Sequence, residues 1–517
     1  MPARRHRLAA VVALAALALA GCAAPREQIT PVQSAGPSAT TSAPSASAPA
    51  GGTVESFYGQ SVSWSACGDF QCATISAPLD WADPSAGSIS LAIERRPADD
   101  PAHRIGSLLI NPGGPGSSGV DFLSYAVTSV LGADVLADYD VVAFDPRGVG
   151  KSSAVECGPD SQVDTYLTQD VTIDSQASLD AARAKATAFG QACQEDTGAL
   201  LAHVDTASAA RDMDLMRALL GDDQLHYLGF SYGTFLGATY AGLFPKNVGR
   251  LVLDGALDPS LTSDQLSEQQ AQGFENALRS YVQYCQNAPG CPLTGSVSHG
   301  MQQIADVVDR AKQRPLSTSD GHAVNGTLAF YGVIVTLYND DYWPLLTQAL
   351  SEAINQHTGG QLLEYADVYL DRTADGTYLS NSNLAIQAIN CLDYPAASRD
   401  YQQMVAFRDQ IARTAPTFAD WFAMAPGCET WPVQSTRTPA PIHATGAAPI
   451  LVVGTTGDPA TPYRWAQALA DQLDSGVLLT WKGQGHTAYG RAGSCISDAV
   501  ETYLLTGATP PVGTTCS

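Results

Sequence analysis

Short apolar runs rich in β-branched and aromatic residues cluster at two places along the chain. Ile89–Arg95, Ser107–Asn111, Tyr139–Phe144, Leu225–Phe230 and Arg250–Asp254 lie early, and Ile450–Gly454 and Val477–Trp481 lie late. Helix-like periodicity separates several of them, at Ala207–Leu220, Pro462–Leu473 and Ile496–Leu505. Short buried-type strands alternating with helices predict an α/β fold, with a mostly parallel central sheet and helices on both faces. Between the two clusters the strand signal fades, and amphipathic stretches replace it at Gln265–Gln286, Met301–Lys312, Tyr342–Asn355 and Ser398–Thr414. Residues 259–448 therefore read as a helical insertion between two parts of one sheet core, 53–258 and 449–517. An insert that leaves one strand and returns to the next emerges at the carboxyl edge, where open α/β sheets bind ligands, so it is expected to form a cap.

The first 52 residues stand apart from this pattern. Arg4, Arg5 and Arg7 precede an apolar stretch from Leu8 to Ala20 that is too short to span a bilayer stably, and residues 1–21 have the form of a signal peptide. Leu19-Ala20-Gly21-Cys22 resembles a bacterial lipobox, which makes Cys22 the expected acylated residue and gives the protein a membrane anchor. Residues 22–52 are mostly Ala, Ser, Pro, Thr and Gly, lack the apolar surface needed for a core, and fit a tether between anchor and body.

The chemistry is carried by strand ends. Gly229-Phe230-Ser231-Tyr232-Gly233 follows an apolar strand and precedes a small-residue helix. That is the setting of a nucleophile elbow, in which a tight turn holds the serine and flanking glycines relieve crowding. A serine nucleophile needs a base and the base an orienting acid. Asp458 lies on the loop after Ile450–Gly454, and His486 on the Gly-rich loop after Val477–Trp481. The chain order Ser231, Asp458, His486 is the order used by α/β-hydrolases. Asp254, also at a strand end, is the alternative orienting acid. The expected oxyanion donors are the N–H of Tyr232 and that of Gly114, in the loop Asn111-Pro112-Gly113-Gly114-Pro115-Gly116. Asp145-Pro146-Arg147-Gly148 follows another strand and is expected to be a turn held by a contact between Asp145 and Arg147. His203, His226, His299, His322, His357 and His443 lack a strand-end glycine setting and are expected to be packing or surface residues.

Charge and cysteine content narrow the surroundings. With 27 Lys and Arg against 51 Asp and Glu the net charge is -24, which argues against a nucleic-acid partner and favours cationic substrates. Apart from Cys22 there are Cys67, Cys72, Cys157, Cys193, Cys285, Cys291, Cys391, Cys428, Cys495 and Cys516. Export keeps such thiols oxidised, and their spacing lacks a metal-type pair, so structural disulfides rather than a metal site are expected, and no cofactor. Short loops favour Cys67 with Cys72 and Cys285 with Cys291, and the other six are expected to pair sequentially.

Five motifs in order carry a resemblance: Asn-Pro-Gly-Gly-Pro-Gly at 111–116, Asp-Pro-Arg-Gly-Val-Gly-Lys-Ser at 145–152, Gly-Phe-Ser-Tyr-Gly-Thr at 229–234, Leu-Asp-Gly-Ala-Leu-Asp-Pro at 253–259 and Gly-Asp-Pro-Ala-Thr-Pro at 457–462. Together they resemble the secreted tripeptidyl aminopeptidases of actinobacteria, relatives of the proline iminopeptidases. The resemblance implies an α/β-hydrolase fold and a serine exopeptidase acting near the free N-terminus of peptides, with acidic side chains holding the amine. Asp393 lies in a segment similar to one recurrent in the family, and Glu352, Glu364 and Asp367 lie on cap helices; the resemblance assigns the amine to none of them. An esterase or lipase on the same fold, and a binding lipoprotein without catalysis, are the alternatives.

Overall fold

A computed structural model describes residues 52–517. The signal peptide, Cys22 and nearly all of the tether lie outside the described residues. Ten strands form one sheet: β1 (Ser65–Cys67), β2 (Phe70–Pro78), β3 (Ser88–Arg96), β4 (Gly106–Asn111), β5 (Tyr139–Phe144), β6 (Leu225–Phe230), β7 (Val248–Asp254) and, after a hairpin of β8 (Leu316–Ser317) and β9 (Ala323–Val324) that stands outside it, β10 (Ile450–Gly457), β11 (Gly476–Gln484) and β12 (Thr515–Cys516). The spatial order is β1-β2-β3-β5-β4-β6-β7-β10-β11-β12. Pairing is antiparallel from β1 to β5 and parallel from there to β12. This is the α/β-hydrolase fold.

The central strands explain why the sequence reads as continuous apolar runs. Every residue of β4 and β5 is buried, as a sheet covered on both faces requires. One face packs on the helices Thr206–Leu219, Tyr232–Leu243 and Tyr463–Gln472. The other packs on Gly119–Tyr125, Ala133–Asp138 and Ser494–Thr506. Register aligns the carboxyl ends: Asn111 pairs with Gly229, Phe230 with Asp254, and Asp254 with Val453. The loops that follow β4, β6, β7 and β10 therefore leave the sheet at one edge.

Between β7 and β10 the regular structure is mostly helical, from Ser263–Asn287 to Ala419–Ala423. The first of these helices begins with a capping box, Thr262 and Gln265 each satisfying the other's backbone N–H. Strands β1, β2 and β12 and the β8–β9 hairpin add to the strands anticipated from the apolar runs. All ten body cysteines are paired, as Cys67–Cys72, Cys157–Cys193, Cys285–Cys291, Cys391–Cys428 and Cys495–Cys516. Among the described residues no helix is long and apolar enough to cross a membrane.

Candidate active site

Ser231 sits between β6 and the helix Tyr232–Leu243 with φ 55° and ψ -123°, a conformation that residues with a side chain seldom adopt. The turn is held by Ser231 N–H donating to the Asp254 carbonyl at 2.8 Å, and by Thr234, whose N–H and hydroxyl both donate to the Ser231 carbonyl. The flanking glycines are sterically required. A Cβ on Gly229 would lie 2.5 Å from the Gly233 carbonyl oxygen, and one on Gly233 would lie 2.9 Å from that of Asn111.

Asp458 and His486 meet as the strand-end loops converge. His486 Nδ1 lies 2.9 Å from Asp458 Oδ2 and 3.0 Å from Oδ1. The carboxylate is buried and also accepts from the N–H groups of Ala460, Thr461 and Thr487 and from the Thr461 hydroxyl. Four donors besides the imidazole fix the Asp458 carboxylate in one orientation, and Nδ1 directed at it leaves Nε2 as the nitrogen free to take a proton. Among the described residues the Ser231 hydroxyl makes no hydrogen bond to His486; such contacts commonly tighten only in the substrate complex. Thr461, within 3.2 Å of Nδ1, was not anticipated, although the motif that contains it was.

Among the described residues Asp254 makes no hydrogen bond to the imidazole. Its carboxylate accepts from the N–H groups of Ala488 and Tyr489, so the alternative acid fastens the loop that carries His486 rather than the ring. Gly114 and Tyr232 face the same cavity as Ser231, and no intramolecular acceptor meets the N–H of either among the described residues. The N–H of Gly113 is taken by Asn111 Oδ1 at 3.0 Å, whereas Gly114 lines the cavity with its N–H unpaired among the described residues. The expected contact between Asp145 and Arg147 is absent. Asp145 accepts from the Ser118 hydroxyl and from Val120 and Lys151 N–H, and Arg147 forms a buried fork on Asp212 at 2.6 and 2.7 Å. The guanidinium also donates to the carbonyls of Pro78, Leu79 and His203, which commits it away from Asp145.

Above Ser231 lies a cavity of about 760 Å³ whose wall includes the aromatic side chains of Phe274, Phe330, Tyr338, Tyr394 and Trp421. Part of that wall, from Tyr166 to Ala186, comes from the segment between β5 and β6 rather than from the insertion after β7. Asp393, Glu352, Glu364 and Asp367 are not on the wall. Asp393 is buried behind Tyr232, where it accepts from the N–H and hydroxyl of Thr206, and the same hydroxyl lies 2.5 Å from the phenol of Tyr232. Glu352 caps a turn at Gly360, and Asp367 pairs with Arg372. The carboxylates that do line the cavity are Asp170 and Asp420, together with the cations Lys185, Lys312 and Arg408. The one group spaced to hold a metal among the described residues, Cys67, Cys72 and Glu94, has both thiols joined in a disulfide.

Residues 415–516 match the family model described as TAP-like protein. Over 487 residues, 90% of this chain and 92% of the relative, the chain is 37% identical to serine protease Hip1 of Mycobacterium tuberculosis. The chain belongs to the TAP-like family of α/β-hydrolases. Another relative is carboxylesterase B of M. tuberculosis, 36% identical over 88% of this chain and 90% of its own length. The tripeptidyl aminopeptidase of Streptomyces lividans is 32% identical over 88% of this chain and 85% of its own. A TAP-like chain is thus similar to proteins named for peptide and for ester hydrolysis, two acyl transfers that one serine mechanism serves.

Proposed function

We propose that this protein is a serine exopeptidase that removes short peptides from the free N-terminus of its substrates. Ser231 is the nucleophile and His486 Nε2 takes its proton. Asp458 orients the imidazole and stabilises its charged form, and the N–H groups of Gly114 and Tyr232 receive the oxyanion. His486 then returns the proton to the leaving amine, and water releases the acyl group by the same path in reverse. The observation that carries this reading is the bidentate approach of Asp458 to His486 Nδ1 at the carboxyl edge that also presents Ser231, beneath a cavity large enough for a few residues of peptide. The relatives named serine protease and tripeptidyl aminopeptidase support it.

In this reading the amine faces Asp170 or Asp420 and the aromatic wall, since the other acids named above lie elsewhere. The substrate meets the enzyme outside the cytoplasm, with Cys22 acylated and anchoring it to the membrane; the five disulfides suit that oxidising location. The carboxylesterase relative keeps ester hydrolysis as a second reading. A panel of a free-amine peptide, its N-acetylated form and a simple ester separates the two. Acetylation is expected to lower kcat/KM by about 100-fold, because a charge-selecting pocket is left with an unpaired group. Equal cleavage of both peptides, or a preference for the ester, would favour the second reading.

A further inference from the structure

The loop that carries His486 is held from the cap as well as from the sheet. The N–H of His486 donates to the carbonyl of Tyr338 at 2.7 Å, and the two rings meet edge to face with centroids 5.5 Å apart. Tyr338 follows the cap helix Gly326–Thr336, packs on Phe274 and lines the cavity. The next two residues, Asn339 and Asp340, each place a side-chain oxygen 2.9 Å from Arg491 Nη2. The same guanidinium donates to the carbonyls of Gln484 and Thr487 at 3.0 to 3.1 Å, one before and one after His486, and lies over the ring of Trp481. Gly485 makes this approach feasible. Its φ is +90°, and a Cβ there would lie 2.7 Å from Arg491 Nη2 and 2.8 Å from the Tyr338 oxygen.

We propose that Arg491, clasping Asn339 and Asp340, is a positioning residue that makes the seating of the cap and the aim of His486 Nε2 a single event. The inference rests on the reading of Ser231, Asp458 and His486 as the triad. Asp458 fixes one edge of the imidazole, but the reach of Nε2 to Ser231 depends on where the loop stands, and a base acts only within hydrogen-bond distance. A misplacement of about 1 Å can cost about 100-fold in rate. The planar guanidinium satisfies two loop carbonyls and two cap oxygens in one fixed fork, a geometry that an ammonium cannot reproduce. Because Tyr338 is both cavity wall and acceptor for the His486 N–H, a peptide that settles against the wall also settles the base.

The test uses the full chain carrying Arg491→Lys and, separately, the pair Asn339→Ala with Asp340→Asn, which touches neither the triad nor the cavity wall. Melting temperature, kcat, KM and the rate of fluorophosphonate labelling at Ser231 are measured for each. The expected result is a fall of about 10- to 100-fold in kcat and in labelling rate together, with KM changed by less than about threefold. Variants that melt lower yet label and turn over at the wild-type rate would reduce the clasp to a structural role and overturn the proposal. Should Arg491→Lys not fold, the cap-side pair decides, and an unchanged labelling rate in it overturns the proposal equally. Labelling at Ser231 without peptide cleavage would defeat the peptidase reading and leave the clasp readable by labelling rate; labelling elsewhere would defeat both.

Discussion

The main-chain carbonyl of Asp254 accepts the N–H of Ser231 at 2.8 Å, while its carboxylate accepts the N–H of Tyr489 at 2.7 Å. One residue at the end of β7 therefore fastens the elbow to the loop that carries His486. Burial pushes this carboxyl up to about 6, against the pull of the Ala488 and Tyr489 N–H groups. Asp254→Ala leaves those two N–H groups buried without partners, at a cost of about 1–3 kcal/mol each. The expected outcome is a lower denaturation midpoint and a fall in kcat, with Asp254→Asn intermediate because its amide retains one acceptor. Equal midpoints for the alanine variant and wild type would contradict this role.

A second prediction concerns pH. Asp393 is pushed up to about 7, chiefly by burial and against two hydrogen bonds from Thr206. An unfolded aspartate titrates near 3.9, so between about pH 4 and 7 the folded state retains a proton that the unfolded state has released. This group's contribution to stability is therefore fully present below about pH 4 and is lost as pH rises toward 7. Asp393→Asn removes the titration and keeps a side chain able to accept from the Thr206 N–H and donate to its hydroxyl. Denaturation of both proteins across that range should show the variant gaining stability relative to wild type as pH rises, then levelling off. A constant difference would place the titration elsewhere.

The strands leading to Ser231 and Asp458 were legible because each is a mostly buried apolar run that ends abruptly in glycine or a polar turn, and the strand before His486, though largely half-exposed, carries the same apolar run and glycine-rich ending. Strand β2 was not, since half-exposed Gln71 and Thr74 and buried Ser76 interrupt its apolar residues near the antiparallel edge of the sheet. The cap helix Gly326–Thr336 is apolar on nearly every face and nearly all buried, so it offers no amphipathic period. Sequence spacing also misassigned Arg147, whose partner Asp212 is 65 positions away. Periodicity identifies a helix but not what it packs against, which is why the contribution of Tyr166 to Ala186 to the cavity wall was not anticipated. The clasp of Arg491 on Asn339 and Asp340 spans about 150 residues and left no local trace.

The central claim is that Ser231, activated by His486, is the residue acylated in turnover. Treatment with a fluorophosphonate, followed by digestion and mass spectrometry, addresses it most directly. The account predicts a single adduct on the peptide containing Ser231, its loss in Ser231→Ala, and a fall of several decades in turnover for that variant. An adduct that persists on the alanine variant, or turnover that survives it, would contradict the account.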